Sequence, residues 1–147
     1  MPYNMYYKMK SKNLTSGLED YIEAIYIAEL NKTQLKGAEL ARNLNISRAS
    51  VSEALTKLVD KGLICYESYG VISLTKAGKA EAQNVYGKHS ILKNFFETVF
   101  DIPSTEAEEN ACKIEHVISG KILDKMLLMT TRIKNNKDLK HKLFEEV

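Results

Sequence analysis

The stretch Cys112-Lys113-Ile114-Glu115-His116 puts a thiol, a carboxylate and an imidazole within five residues. On a helix, Cys112, Glu115 and His116 fall at i, i+3 and i+4 and so share one face. Those side chains can close on one divalent ion without backbone rearrangement. Thiolate and imidazole suit Fe(II), Co(II), Ni(II) or Zn(II), while a carboxylate tolerates Mn(II). A second pair, Asp20 and Glu23, sits one turn apart near the N-terminus, and His89 lies between the two segments. Taken singly, the acidic pair reads as a solvated helix face, Glu115-His116 as a surface pair and Cys112 as a core residue. Against that, the stripe Ala111, Ile114, Val117 and Ile118 accounts for core packing and leaves the three donors on one edge. Donors in three separate segments point to a metal that ties parts of the chain together.

Other metal chemistries are absent. The cysteines number two, Cys65 and Cys112, too few for a disulfide framework, which makes a reducing cytoplasm the expected compartment. Structural zinc sites pair Cys-x-x-Cys or His-x-x-x-His, and zinc proteases use His-Glu-x-x-His; the chain has none of these. Cys65, in a β-prone run, reads as a small buried hydrophobe.

The elements that must carry these donors follow from periodicity. The chain has 147 residues, enough for one domain or two small ones. At 44% hydrophobic and 27% charged it has the composition of a folded soluble protein, and no apolar run reaches bilayer length. Residues 1–16 read as a flexible basic arm, with Lys8, Lys10 and Lys12. From Leu18 the spacing Leu18, Tyr21, Ile22, Ile25 is helical. A short helix around Ala38, Leu40, Ala41 and Leu44, a tight turn at Asn45-Ile46-Ser47 and a helix over 48–61 make a helix-turn-helix, with Gly62 as its stop. Two β-prone runs over 63–67 and 71–75, joined through Ser68-Tyr69-Gly70, add a wing. Helices are expected over 75–100, from Ser104 to 118, broken at Ser119-Gly120, and over 121–133. The expected fold is therefore mainly α with a small β-hairpin: a winged helix-turn-helix over 1–75 and an all-α metal-binding domain over 76–147.

The second helix of the helix-turn-helix is the candidate reader of the major groove. Its outer face presents Ser47, Arg48, Ala49, Ser50, Ser52, Glu53, Thr56 and Lys57. Arg48 can bond guanine bidentately, Ala49 and Ser50 are small enough for close approach to base edges, and the hydroxyls with Lys57 suit phosphates. A net charge of +2 does not by itself argue for nucleic acid; the capped turn before this helix and the hairpin after it do.

The order of these elements, with Leu18-Glu19-Asp20-Tyr21-Ile22-Glu23, Gly87-Lys88-His89 and Ala111-Cys112-Lys113-Ile114-Glu115-His116, resembles the metal-dependent repressor family that includes the diphtheria toxin repressor and the manganese transport regulator. The resemblance covers roughly residues 16–133 and is to a short form without the C-terminal SH3-like domain. It implies a cytoplasmic homodimer that binds palindromic operator DNA when loaded with Fe(II) or Mn(II) and controls metal-homeostasis genes. It also implies a ligand set of Asp20, Glu23, His89, Cys112, Glu115 and His116. Cys112 matches the iron branch, whereas the manganese branch has glutamate there. Lys93 stands where the iron branch carries an acid of an ancillary site. Iron and manganese both stay open, with Zn(II), Co(II) and Ni(II) expected to bind in vitro. No membrane or organic substrate is implied, and no catalytic base is found beyond the ligands. The alternative is a winged-helix sensor of an organic ligand, of the multiple-antibiotic-resistance type, whose Leu-Thr-x-x-Gly recurs at residues 74–78.

Overall fold

Helix α1 (Ser16–Leu30) begins where Thr15, in extended backbone, accepts a hydrogen bond from the Leu18 amide at 3.2 Å, satisfying one of the unpaired donors of the first turn. The computed structural model describes residues 14–66 and 70–145. Nearly all of the expected basic arm, and Ser68 and Tyr69 of the wing, lie outside those residues. The chain divides into two compact units, one ending at Tyr86 and the other starting at Gly87.

In the first unit, β1 (Leu35–Lys36) leads directly into α2 (Gly37–Leu44), whose start is held by Glu39 Oε2 accepting from the Lys36 amide at 2.9 Å. Asn45 ends α2 with φ 54°, a left-handed conformation that asparagine tolerates better than most side chains. Ser47 then caps α3 (Arg48–Asp60), its Oγ accepting from the Ser50 amide at 3.1 Å. The helix stops at Gly62, φ 70°, where the Leu63 amide reaches back to Leu58 O at 3.0 Å; only glycine enters that left-handed region without strain.

The hairpin expected after α3 forms as β2 (Ile64–Tyr66) and β3 (Val71–Leu74), with Ile64 opposite Leu74 and Tyr66 opposite Ile72. A third strand, not foreseen, joins it: β1 pairs antiparallel with β3 through Leu35 and Ile72, giving the order β1-β3-β2. Glu29 on α1 accepts the Leu74 amide at 2.8 Å and so ties the first helix to this sheet. Cys65 is exposed, with its Sγ 3.0 Å from Ser73 Oγ, correcting the reading of a buried residue. Strand alternation sends Ile64 inward and its neighbour outward. The core beneath gathers Ile22 and Ile25 of α1, Leu40 of α2, Leu55 and Leu58 of α3, and Leu63.

The Leu-Thr-x-x-Gly segment has a packing cause. Thr75 Oγ1 donates to Gly62 O at 2.6 Å and accepts from the Gly78 amide at 3.0 Å. That anchors the start of α4 (Lys76–Phe100) against the end of α3. A Cβ on Gly78 would stand 1.8 Å from Leu63 O, so no other side chain fits there.

The second unit comprises the later part of α4 together with α5 (Ser104–Ile114), α6 (Gly120–Asn135) and α7 (Lys137–Phe144). Phe95, Val99 and Ile133 form its buried apolar cluster, with Phe96, Met126, Met129 and Leu139 packed around it. Helix α5 ends four residues earlier than expected, at Ile114 rather than 118. The Val117 amide closes a tighter turn onto Ile114 O at 3.0 Å, and Val117, expected in the core stripe, is 82% exposed. Helix α7 was not legible in the Lys- and Asn-rich tail; Asn136 caps it by accepting from the Leu139 amide at 3.3 Å.

Candidate metal centre and nucleic-acid interface

The end of α5 preserves the geometry on which the donor cluster depends. Glu115 is the cap residue, with φ −55° and ψ −29°, and its amide still bonds Ala111 O at 3.0 Å. Cys112 and Glu115 therefore keep helical spacing, and His116 follows in the closing turn. Opposite them, α4 supplies His89, only 5% exposed. Its Nδ1 lies 2.6 Å from Glu115 Oε2 and 3.8 Å from Cys112 Sγ. His116 Nε2 lies 3.6 Å from Glu115 Oε1. Three of the six expected donors, His89, Cys112 and Glu115, thus meet within the second unit, and His116 joins them through Glu115.

Burying a carboxylate is costly unless its oxygens are partnered. Glu115 is 1% exposed, yet its Oε1 accepts no hydrogen bond among the described residues. A buried carboxylate oxygen without a donor, beside a thiol and two imidazoles, fits a divalent cation. The other two expected donors lie on α1 of the first unit, Glu23 buried at 8% and Asp20 exposed. Glu23 is thus not the solvated group that the pair, taken singly, would suggest.

Glu108 is the residue the sequence reading missed. Its Oε1 stands 2.9 Å from His89 Nε2 and its Oε2 3.0 Å from Lys93 Nζ. Burial alone would raise the Glu108 carboxyl, but hydrogen bonds from Lys93 and His89 outweigh it and hold the group below its ordinary value. His89, Glu108 and Cys112 offer ligand atoms all within 4.8 Å of one another. The available signal was spacing: Glu108 is one turn before Cys112, on the same edge of the helix.

On α3, the candidate reading helix, all six expected DNA-facing residues, Ser47, Arg48, Ala49, Ser50, Ser52 and Lys57, are exposed, while Val51, Ala54, Leu55 and Leu58 turn inward. Ser47 Oγ and Ser50 Oγ are 2.9 Å apart, and Lys57 pairs with Glu53 at 3.0 Å. Thr56 Oγ1 donates to Ser52 O at 3.0 Å, which commits that donor to the helix itself. Arg42 on α2, absent from the sequence candidates, lines one concavity with Asn45, Ser47 and Arg48. Two guanidiniums flanking the turn make that concavity suited to a phosphate.

Comparison with known proteins agrees with both halves. The family model for the iron dependent repressor N-terminal DNA binding domain matches residues 13–72. The model for the metal binding and dimerisation domain of the same repressors matches residues 75–143. A helix-turn-helix-type transcriptional regulator of Methanocaldococcus jannaschii is 34% identical over 83% of this chain and 98% of its own length. The chain belongs to the iron-dependent repressor family. Members of that family are metal-dependent transcriptional regulators and not enzymes. Within it, the transcriptional regulator MntR of Lysinibacillus sphaericus is 26% identical over 88% of this chain and 92% of its own. The crystal structure of T. acidophilum IdeR superposes with a TM-score of 0.72 and 26% identity, over 82% of this chain. This member of the iron-dependent repressor family spans 55% of that solved chain. No helix among the described residues is long and apolar enough to cross a membrane.

Proposed function

We propose that this protein is a repressor of metal-homeostasis genes that binds palindromic operator DNA as a homodimer when its metal centre is loaded with Fe(II) or Mn(II). The observation that carries the reading is the buried Glu115 carboxylate, with one oxygen on His89 and the other without a hydrogen bond, beside Cys112 and His116. These four residues are assigned as ligands. Asp20 and Glu23 are assigned as further ligands because they match the family's acidic pair in sequence. Cys112 ligates as the thiolate and both histidines as neutral imidazoles, so each must release any proton it carries. A bound divalent ion supplies positive charge that offsets the carboxylates and the thiolate.

Regulation follows from linkage. Asp20 and Glu23 ride on the first helix of the DNA-reading unit, whereas the other four ligands belong to the helical unit. Ligands divided in this way give the loaded and unloaded protein different affinities for operator. A coupling of about 1–3 kcal/mol is typical and corresponds to about 5- to 150-fold tighter DNA binding. Exposed Val117 and Ile122 in the helical unit support pairing with a second copy. The thiolate of Cys112 favours Fe(II), whereas three carboxylates in the set favour Mn(II).

A gel shift with the full chain tests the reading. Chelator is expected to abolish specific binding, and Mn(II) or Fe(II) to restore it. Binding that ignores chelator would overturn the metal switch and favour an organic effector.

A further inference from the structure

His89 is gripped by a carboxylate on each ring nitrogen, and the two carboxylates are not equivalent. On the Nδ1 side, Glu115 is 1% exposed and keeps Oε1 without a hydrogen bond, and Cys112 Sγ lies 3.8 Å away. On the Nε2 side, Glu108 has both oxygens engaged, Oε1 at 2.9 Å from Nε2 and Oε2 at 3.0 Å from Lys93 Nζ. Its side chain is 47% exposed.

We propose that Glu108, fixed by Lys93, is a positioning residue that accepts the Nε2–H of His89 and thereby presents Nδ1 to the metal. The inference rests on the proposed metal reading of this centre and adds the tautomer and the supporting pair. A ligating imidazole is neutral, so one nitrogen carries the proton and the other the lone pair. A carboxylate on Nε2 keeps the proton there, orients the ring and raises its basicity as a donor. Lys93 gives the arrangement its direction. An ammonium 3.0 Å from Glu108 opposes a second cation on that carboxylate. The competing arrangement has Glu108 itself as a ligand, since His89, Glu108 and Cys112 come within 4.8 Å of one another.

The test uses the full chain with Zn(II) and Co(II). Nitrogen-15 NMR of wild type loaded with Zn(II) is expected to show His89 bound through Nδ1 and protonated at Nε2. Glu108→Ala is expected to keep the metal equivalents per chain and the thiolate-to-Co(II) band while binding Zn(II) about 10- to 100-fold more weakly. Glu108→Gln, whose amide oxygen can still accept Nε2–H, is expected to restore much of that loss, and Lys93→Met to weaken binding less than Glu108→Ala. Loss of a metal equivalent in Glu108→Ala would make Glu108 a ligand, and Nε2 as the bound nitrogen would leave Glu108 no proton to accept; either overturns the proposal. Unchanged affinity in Glu108→Ala would overturn it too, leaving the metal reading intact. Metal bound without His89 would overturn this proposal alone, whereas wild type that binds neither ion would overturn the metal reading as well.

Discussion

His89 and Glu115, separated by twenty-six residues, meet at 2.6 Å with both side chains almost wholly out of solvent. A carboxylate buried against an imidazole is a poor source of stability, because desolvation offsets much of their attraction. Their value lies in holding two donor groups at fixed positions. Glu115→Gln keeps the volume and removes the anionic oxygen that has no hydrogen bond. The variant is expected to fold and to lose Zn(II) affinity by more than the 10- to 100-fold typical of an outer partner. Competition against a chromophoric chelator measures this, with circular dichroism confirming the fold. Wild-type affinity in Glu115→Gln would remove Glu115 from the ligand set.

Cys112 is expected to set metal preference. Replacing it by glutamate exchanges a soft donor for a hard one, so Mn(II) should gain as an activator of DNA binding relative to Zn(II) and Co(II). A thiolate-to-Co(II) absorption band is expected in wild type and not in Cys112→Ser. Affinity should fall as pH is lowered below neutral, because thiol and imidazole must be deprotonated to bind. An unchanged order of metals in Cys112→Glu would mean that selectivity resides elsewhere.

Gly78 is expected to be intolerant of any side chain. A Cβ there would meet Leu63 O at 1.8 Å, and that carbonyl is held in place by the Thr75 amide at 3.0 Å. Backbone on both sides leaves little room for adjustment. Gly78→Ala should therefore destabilise by at least the roughly 1–3 kcal/mol of ordinary overpacking, read as a lowered melting temperature. Gly120, with nothing within 4 Å of its Cβ position, is the control and should tolerate alanine with little change.

These relationships differ in how far they were legible in the chain. The helix-turn-helix was readable because its signals are local: Ser47 caps, Asn45 turns, Gly62 stops, and Val51, Leu55 and Leu58 repeat at helical spacing. Strand β1 was not, since two residues are too few to show alternation. Its existence depends on pairing with Ile72 and Val71 far along the chain. The end of α5 was placed too late because Val117 and Ile118 continue the apolar period, although the backbone tightens after Ile114. Glu108 was hidden for a different reason. In Glu106-Ala107-Glu108-Glu109 it is one acid among three, and only the position of His89 and Lys93 on α4 separates it from its neighbours.

The reading helix gives the last expectation. Arg48 begins α3 at an exposed position beside the capping Ser47, where N-terminal residues of a recognition helix meet base edges. Arg48→Ala should cost about 1–3 kcal/mol on operator DNA and relax preference at one position in each half-site. For a twofold dimer those half-sites should be centred about one helical turn, or a multiple of it, apart. Lys57 lies further along the helix and shares its charge with Glu53 at 3.0 Å. Lys57→Ala should weaken operator and random duplex alike and flatten the salt dependence, as loss of a phosphate contact does. Glu53→Gln should do the reverse, because it leaves the ammonium free for the backbone. Fluorescence anisotropy on operator and scrambled duplexes across a salt series separates the cases. Equal losses on both duplexes for Arg48→Ala would move Arg48 to the phosphates and leave sequence reading to Ala49, Ser50 and the shape of the DNA.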